Sequence, residues 1–80
     1  MTARANAVDR HVGARLKTRR EARRIDETGL ARLTGMSAAQ IERYERGIRR
    51  IAAPHLFAFA KALHAEIGFF YNGIEAARRN

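Results

Sequence analysis

The stretch that decides the fold is residues 26–47, DETGLARLTGMSAAQIERYERG. Asp26 and Ser37 are residue types whose side chains cap helix N termini. Gly35 and Gly47 suit the left-handed conformation that ends a helix. The stretch therefore predicts two helices, each between a cap and a glycine. The link between the two helices consists of three residues, Gly35-Met36-Ser37. So short a link indicates a helix-turn-helix crossing rather than an antiparallel hairpin.

Apolar residues at helical spacing predict three further helices around this pair. Helix one runs from an N-cap at Asp9 to about Arg24. Pro54 suits the first turn of helix four. The apolar stripe of helix four, expected in the core, is Leu56, Phe59, Ala60 and Leu63. A short helix five runs from Glu66 to Tyr71.

No stretch alternates apolar and polar residues as a strand does, so the predicted fold class is all-α with five helices. We expect a flexible N-terminal arm over residues 1–8, the helical domain over 9–72 and a short tail over 73–80 that is able to form a helix. No apolar run approaches the ~20 residues of a membrane span, and the N terminus lacks the apolar stretch of a secretory signal. We therefore expect no membrane association and a cytoplasmic location.

The chain carries 16 Lys and Arg against 8 Asp and Glu, a formal net charge of +8. This balance indicates a polyanion as partner. One cluster, residues 15–24, holds six cations and one acid, and a second cluster consists of Arg43, Arg46, Arg49 and Arg50. Either cluster alone is consistent with a solvated face, but the two together favour nucleic acid. Fourteen of the cations are arginine, which suggests a bacterial or phage origin.

Residue types suited to catalysis or metal binding are sparse. The chain has no cysteine, and the spacing of His11, His55 and His64 does not place two of them on one helix face with a third ligand. We interpret these histidines as scattered surface or half-buried residues and expect no metal and no cofactor. No nucleophile, base and acid trio stands out, so we expect no enzyme. No sensing domain follows Asn80, so we expect no small-molecule effector.

Between Val12 and Phe70 the sequence contains a series of short motifs. It consists of Val12-Gly13, Arg20, Leu30-Ala31, Gly35-Met36-Ser37, Ile41, Tyr44-Glu45-Arg46-Gly47 and the run from Leu56 to Leu63. In this order and spacing the motifs resemble the Cro and lambda-repressor-like (Xre-type) helix-turn-helix family. The resemblance implies a lambda-repressor-like domain and a transcriptional regulator, most often a repressor, located at the nucleoid and bound to double-stranded DNA.

The resemblance also implies roles for individual residues. Helix three, 38–46, would enter the major groove of an operator half-site. Its base-reading positions are Ser37, Ala38, Ala39, Gln40 and Arg43. The phosphate-binding positions are Glu27, Arg46, Arg49 and Arg50. Among these, Arg43 suits guanine and Gln40 suits adenine. Arg20 and Glu45 would form a partly buried, structural ion pair.

Several positions depart from the family pattern. Glu27 stands where glutamine is common, and a carboxylate repels a phosphate. Ala38 and Ala39 can touch a thymine methyl group but cannot hydrogen-bond a base edge. These departures favour an alternative function, an antitoxin or protein-binding adaptor that has kept the fold, with a protein as partner. Arg24 stands where the family usually has the glycine that ends helix one.

Apolar residues near the C terminus suggest a homodimer, since relatives in this family often pair through that region. The candidate interface residues are Ile67, Phe69, Phe70 and Ile74. A two-fold dimer would place two reading helices one DNA turn apart. The alternative is that Ile67 and Phe70 close the core of the monomer.

Overall fold

A computed structural model describes residues 6–75 of the chain. Its helices are α1 (Ala7–Ala22), α2 (Glu27–Thr34), α3 (Ala38–Glu45), α4 (Ala53–Ala62) and α5 (Ile67–Tyr71), and this part of the chain contains no strand. The predicted all-α, five-helix fold is confirmed. None of the helices within 6–75 has both the length and the apolar character needed to cross a lipid bilayer.

The N terminus of α1 lies three residues earlier than the sequence predicted. The N-cap is Asn6, whose side chain accepts a hydrogen bond from the Asp9 amide, while the Asp9 carboxylate accepts one from the Asn6 amide. Asp9 is thus the third helical residue of a capping box rather than the cap itself. Ala7 and Val8, assigned to the arm by sequence, are helical, and residues 1–5 of that arm lie outside the described residues.

The helix-turn-helix segment has the predicted caps. The Asp26 carboxylate accepts from the Gly29 amide at 2.6 Å, and the Ser37 hydroxyl accepts from the Gln40 amide at 3.1 Å. Gly35 ends α2 in the left-handed region with φ of 75°. Satisfied amides at both N termini fix where α2 and α3 begin, and therefore the angle at which they cross.

The ends of α1 and α3 differ slightly from prediction. α1 stops at Ala22 rather than near Arg24, because Arg24 adopts φ of 57°, a left-handed conformation that a helix cannot contain. α3 stops at Glu45, one residue before the predicted Arg46, which is its C-cap. Arg24 therefore occupies, without being glycine, the conformation that glycine usually provides.

The core lies where all five helices meet. Its fully buried side chains are Leu16, Leu30, Ile41, Phe59, Leu63 and Phe70. The apolar stripe predicted for α4 is buried as expected. α1 and α3 approach so closely at Gly13 that a Cβ atom there would collide with the backbone oxygen of Tyr44. This contact holds the back of α3 directly against α1.

The burial of α5 corrects one dimer-interface prediction. Phe70 has no exposed surface and closes the core, so it cannot face a second copy. Ile67 and Phe69 are half-buried and pack on the core, and Ile74 is also half-buried. In the tail, Ile74 and Glu75 are helical again, and residues 76–80 lie outside the described part.

Candidate nucleic-acid interface

α3 presents one face to solvent and buries the other. Ser37, Ala39 and Arg43 are exposed, while Ala38 and Gln40 are half-buried. Gln40 and Arg43 are three residues apart and therefore share a face of the helix. The buried residues of α3 are Ile41, Tyr44 and Glu45. The solvent-facing side of α3 thus carries the small residues Ser37 and Ala39 at its start and the Arg43 side chain further along.

The buried face of α3 is tied to α1 by the ion pair between Arg20 and Glu45. Nε of Arg20 donates to Oε2 of Glu45 at 2.6 Å, and Nη2 donates to Oε1 at 2.9 Å. A third N–H of Arg20 donates to the carbonyl oxygen of Ile25. The two side chains are 9% and 4% exposed. The pair fixes the orientation of α3 relative to the scaffold.

The electrostatic environment of this pair favours the charged arginine. The hydrogen bond to Glu45 raises the pKa of the Arg20 guanidinium above its ordinary value, and burial opposes this. The charges of Glu45, Glu27 and Glu21 raise it further. These interactions favour the charged form of the Arg20 guanidinium, which holds α1 and α3 together through Glu45.

The second basic cluster contains paired and unpaired arginines. Arg46 bonds Glu42 at 3.1 Å on the helix surface, and Arg50 bonds the buried carboxylate of Asp9 at 3.1 Å. Arg43 and Arg49 are exposed and form no salt bridge with any residue of 6–75. Within this cluster, the cationic groups that remain unpaired for a polyanion are therefore Arg43 on α3 and Arg49 in the loop that follows it.

Glu27, predicted to lie at a phosphate, is the first residue of α2 and is half-buried. It lines a cleft between α1, α2 and α3. The other residues of this cleft are Lys17, Arg20, Glu42, Glu45 and Arg46. The acids of the cleft are balanced by an equal number of cations. The charge of Glu27 thus acts among neighbouring cations, which reduces its repulsion of an approaching phosphate.

The first basic cluster is partly bonded within the fold, through Arg15, Arg19 and Arg20. Its other cations, Lys17, Arg23 and Arg24, are exposed and form no salt bridge with any residue of 6–75. Nε of Arg15 donates to the Phe69 carbonyl oxygen at 3.0 Å, and its guanidinium lies 3.9 Å from the centre of the Phe69 ring. Arg19 donates to the carbonyl oxygens of Leu63 and His64 at 3.0 and 2.9 Å. These carbonyls end α4 and α5, where arginine is a favourable partner.

Sequence reasoning did not predict the series of hydrogen-bonded side chains that begins at Gln40. Nε2 of Gln40 donates to the hydroxyl oxygen of Tyr44 at 3.2 Å, and that oxygen lies 2.7 Å from Nδ1 of His55 on α4. Tyr44 is 3% exposed, and a buried tyrosine hydroxyl requires a polar partner. That requirement was the available signal, although it could not identify His55.

The other histidines are separated in the fold. Nε2 of His11 contacts the carbonyl oxygen of Asn72, and His64 follows α4 in a left-handed conformation with φ of 53°. No group of three or more His, Cys, Asp and Glu residues within the described range is arranged to hold a metal ion.

Sequence comparisons relate this chain to known regulators. A family model described as a helix-turn-helix domain matches residues 11–67. A protein of Rhodospirillum rubrum, named an uncharacterized transcriptional regulator in the ATPase CF(0) region, is 47% identical over 68 residues, which cover 85% of this chain and 63% of that protein. The chain spans about half to two thirds of the length of the curated relatives it matches.

Two solved structures resemble the fold. The restriction-modification controller protein C.AhdI from Aeromonas hydrophila superposes with a TM-score of 0.73 at 28% identity, covering 76% of this chain and 92% of that one. The P22 c2 repressor, solved in complex with a synthetic operator, superposes with a TM-score of 0.71 at 27% identity, covering 78% and 94%. These likenesses confirm the expected Cro and lambda-repressor-like fold.

Proposed function

The chain belongs to the helix-turn-helix domain family, and we propose that it is a sequence-specific DNA-binding transcriptional regulator that acts as a repressor. In this proposal α3 enters the major groove of an operator half-site from its exposed N-terminal half. Such a regulator would act at the nucleoid, in the cytoplasm of a bacterial or phage-infected cell. The likeness to an operator-bound repressor supports the proposal.

The observation that carries the proposal is the unpaired, exposed Arg43 on the face that α3 turns to solvent. The opposite face is fixed by the Arg20–Glu45 pair, so the guanidinium projects from a rigid helix. A guanidinium can bond O6 and N7 of one guanine, which discriminates against other bases by about 1–3 kcal/mol. Gln40, three residues earlier on the same face, would read a neighbouring base pair.

Phosphate binding would come mainly from Arg49, with Arg46 and Arg50 in support. Arg49 has no salt bridge within the described chain, whereas Arg46 and Arg50 already bond Glu42 and Asp9. Each guanidinium has five N–H donors, so Arg46 and Arg50 keep donors for a phosphate. Ser37, Ala38 and Ala39 would lie against the bases, where the alanines offer apolar contact to thymine.

Dimerisation is part of the proposal, because a two-fold pair matches an inverted-repeat operator. With Phe70 buried, the surface near α5 consists of Tyr71, which is 42% exposed, and the half-buried edges of Ile67, Phe69 and Ile74. Sedimentation equilibrium of the chain with Tyr71→Glu tests this surface. A shift from dimer to monomer supports the proposed interface, and an unchanged mass contradicts it.

The test of the function is selection of bound duplexes from a random DNA pool at a stated, moderate salt concentration. We expect the wild-type chain to enrich an inverted repeat, and Arg43→Ala to lose the guanine preference at one base pair of each half-site. Arg32→Ala, an exposed substitution on α2, is the matched control and should leave the enriched sequence unchanged. Binding that is salt-sensitive but enriches no sequence contradicts the proposal.

A second candidate function is that of an antitoxin or protein-binding adaptor. It is favoured by the exposed apolar side chains of Leu33 and Phe57, 60% and 63% exposed, and by the short side chains of Ala38 and Ala39. Capture of partners with and without nuclease separates the two functions. A partner retained after DNA is destroyed supports the adaptor, and loss of all partners on nuclease treatment supports the DNA-binding regulator.

A further inference from the structure

Gln40 is linked to α4 by two consecutive hydrogen bonds. Its Nε2 atom lies 3.2 Å from the Tyr44 hydroxyl oxygen, which in turn lies 2.7 Å from Nδ1 of His55. Gln40 is half-buried on the reading face of α3, and His55 is the third residue of α4. His55, which lies on α4 and outside the helix-turn-helix, is thus linked through the Tyr44 hydroxyl to the solvent-facing side of α3.

The Tyr44 ring between them is held by the core. It is 3% exposed, packs edge-on against Phe59 with ring centres 6.0 Å apart, and lies tilted against the His55 ring at 5.8 Å. The ring cannot move without disrupting the core. The remaining freedom of this side chain is the direction of its hydroxyl proton.

The direction of that proton decides which atom of the Gln40 amide faces Tyr44. A hydroxyl group has one proton to donate and two lone pairs that accept. When Nδ1 of His55 accepts the proton, the Tyr44 oxygen offers Gln40 lone pairs alone, and the glutamine meets it with its NH2 group. Without an acceptor at position 55, the hydroxyl can donate to Oε1 of Gln40 instead, and the amide can rotate by 180°.

The orientation of the amide sets the pattern that Gln40 presents to a base. When one N–H of the Gln40 amide is bonded to Tyr44, its second N–H and its Oε1 atom remain free for an external partner. The bond to Tyr44 fixes their order, because it decides on which side the donor lies and on which side the acceptor lies. Adenine in the major groove offers N7 as acceptor and N6 as donor, which match that order. Rotation of the amide reverses the order and removes the match.

We propose that His55 is a positioning residue for base recognition: acting through the Tyr44 hydroxyl, it fixes the amide of Gln40 and so sets a preference for adenine at one base pair. This inference rests on the proposed function, because it requires α3 to lie in the groove. His55 itself touches no base. Its contribution is to remove one of two amide orientations before DNA binds, which makes the reading residue preorganised.

The first test uses the protein without DNA. Gln40 is the single glutamine of the chain, so its side-chain amide signals can be assigned by NMR without ambiguity. We expect several-fold faster solvent exchange of the bonded amide proton in His55→Leu and Tyr44→Phe than in the wild type. His55→Asn keeps an acceptor near the position of Nδ1 and should restore slow exchange. Equal exchange in all four proteins overturns the inference.

The second test repeats selection from a random duplex pool with the same proteins. At the base pair read by Gln40, adenine preference should fall about tenfold in His55→Leu and Tyr44→Phe, as in Gln40→Ala. The guanine preference set by Arg43 should remain, and His55→Asn should select the wild-type sequence. A merely structural role would weaken every base preference together and lower Tm, with no rescue by asparagine.

The two tests separate the inference from the function on which it rests. If wild-type protein enriches no sequence while the amide exchange behaves as expected, the proposed function fails and the link from His55 to Gln40 stands. If an operator is enriched and His55→Leu keeps its full adenine preference, the inference is overturned and the proposed function stands.

Discussion

The arginines of α1 differ from those of the α3 region in the hydrogen-bond partners of their guanidinium groups. Arg15 and Arg19 donate to carbonyl oxygens at the ends of α4 and α5, and Arg20 is buried against Glu45. Arg43 and Arg49 project into solvent without a salt bridge to any described residue. Two clusters of similar composition therefore have different roles in the molecule.

The difference shows that charge density along a sequence does not locate a polyanion-binding surface. A guanidinium whose donors are satisfied within the fold stabilises that fold, and it must give up those bonds before it can bind a phosphate. An unpaired guanidinium contributes little to folding and retains its donors for a ligand. Substitutions of Arg15, Arg19 or Arg20 should therefore change stability, and substitutions of Arg43 or Arg49 should change binding.

The largest effect is expected from Arg20→Met. The substitution leaves the Glu45 carboxylate buried without a partner, and loss of one member of a buried pair costs about 3–5 kcal/mol. Urea denaturation followed by circular dichroism measures the free energy of unfolding. The matched control is the double variant Arg20→Met with Glu45→Leu, which removes both charges and should recover most of the loss. A change below about 0.5 kcal/mol in the single variant would show that the pair does not hold α3.

A smaller effect is expected from Arg19→Ala, which removes two hydrogen bonds to the carbonyl oxygens of Leu63 and His64. Such bonds contribute about 1–2 kcal/mol together, and the free energy of unfolding should fall by that amount. Arg23→Ala, an exposed α1 substitution, is the control and should stay within about 0.5 kcal/mol of wild type. Equal losses in both variants would contradict the assignment of Arg19 to the ends of the helices.

Arg24→Gly should raise stability, in contrast to the other α1 substitutions. Arg24 has φ of 57°, a conformation that costs a residue with a side chain about 1–2 kcal/mol. Glycine loses more backbone freedom on folding, which offsets part of this gain, so we expect a net rise of about 0.5–1 kcal/mol. Differential scanning calorimetry against Arg23→Gly checks this, because Arg23 has φ of −87° and glycine there should destabilise. A fall in Tm for Arg24→Gly would contradict the expected strain.

The smallest effect on stability is expected from Arg43→Ala. Its side chain is exposed and bonds no described acid, so the free energy of unfolding should change by less than about 0.5 kcal/mol. Thermal denaturation measures the change in stability, and selection from the random duplex pool measures the loss of guanine preference in the same variant. A loss of more than 1 kcal/mol would mean that Arg43 supports the fold and would remove the contrast between the two clusters.

Much of the fold was predictable because local chemistry fixes it. Asp26, Ser37 and Gly35 are strong local signals, and the structure uses all three as caps. The start of α1 was less accessible, since Asn6 and Asp9 are both capping residue types and the capping box uses both. The ion pair of Arg20 and Glu45 came from a family resemblance rather than from spacing.

The candidate site was predictable in position but not in its contacts. The family resemblance of the sequence placed Arg43 and Gln40 among the base-reading positions of α3. It could not show that Arg50 bonds Asp9, or that His55 meets Tyr44, since these contacts depend on how separate helices pack. Phe70 illustrates the same limit, because apolar character alone does not distinguish a core residue from an interface residue.

Arg49 is proposed to bind DNA phosphate, whereas the guanidinium of Arg19 is bonded within the fold. The most direct test is the slope of the logarithm of the DNA association constant against the logarithm of salt concentration. The measurement compares wild type, Arg49→Ala and Arg19→Ala on one duplex at a temperature where all three are folded. We predict that Arg49→Ala lowers the magnitude of the slope by about 0.9 and that Arg19→Ala leaves it unchanged. A lowered slope for Arg19→Ala with an unchanged slope for Arg49→Ala would contradict the roles proposed for these two arginines.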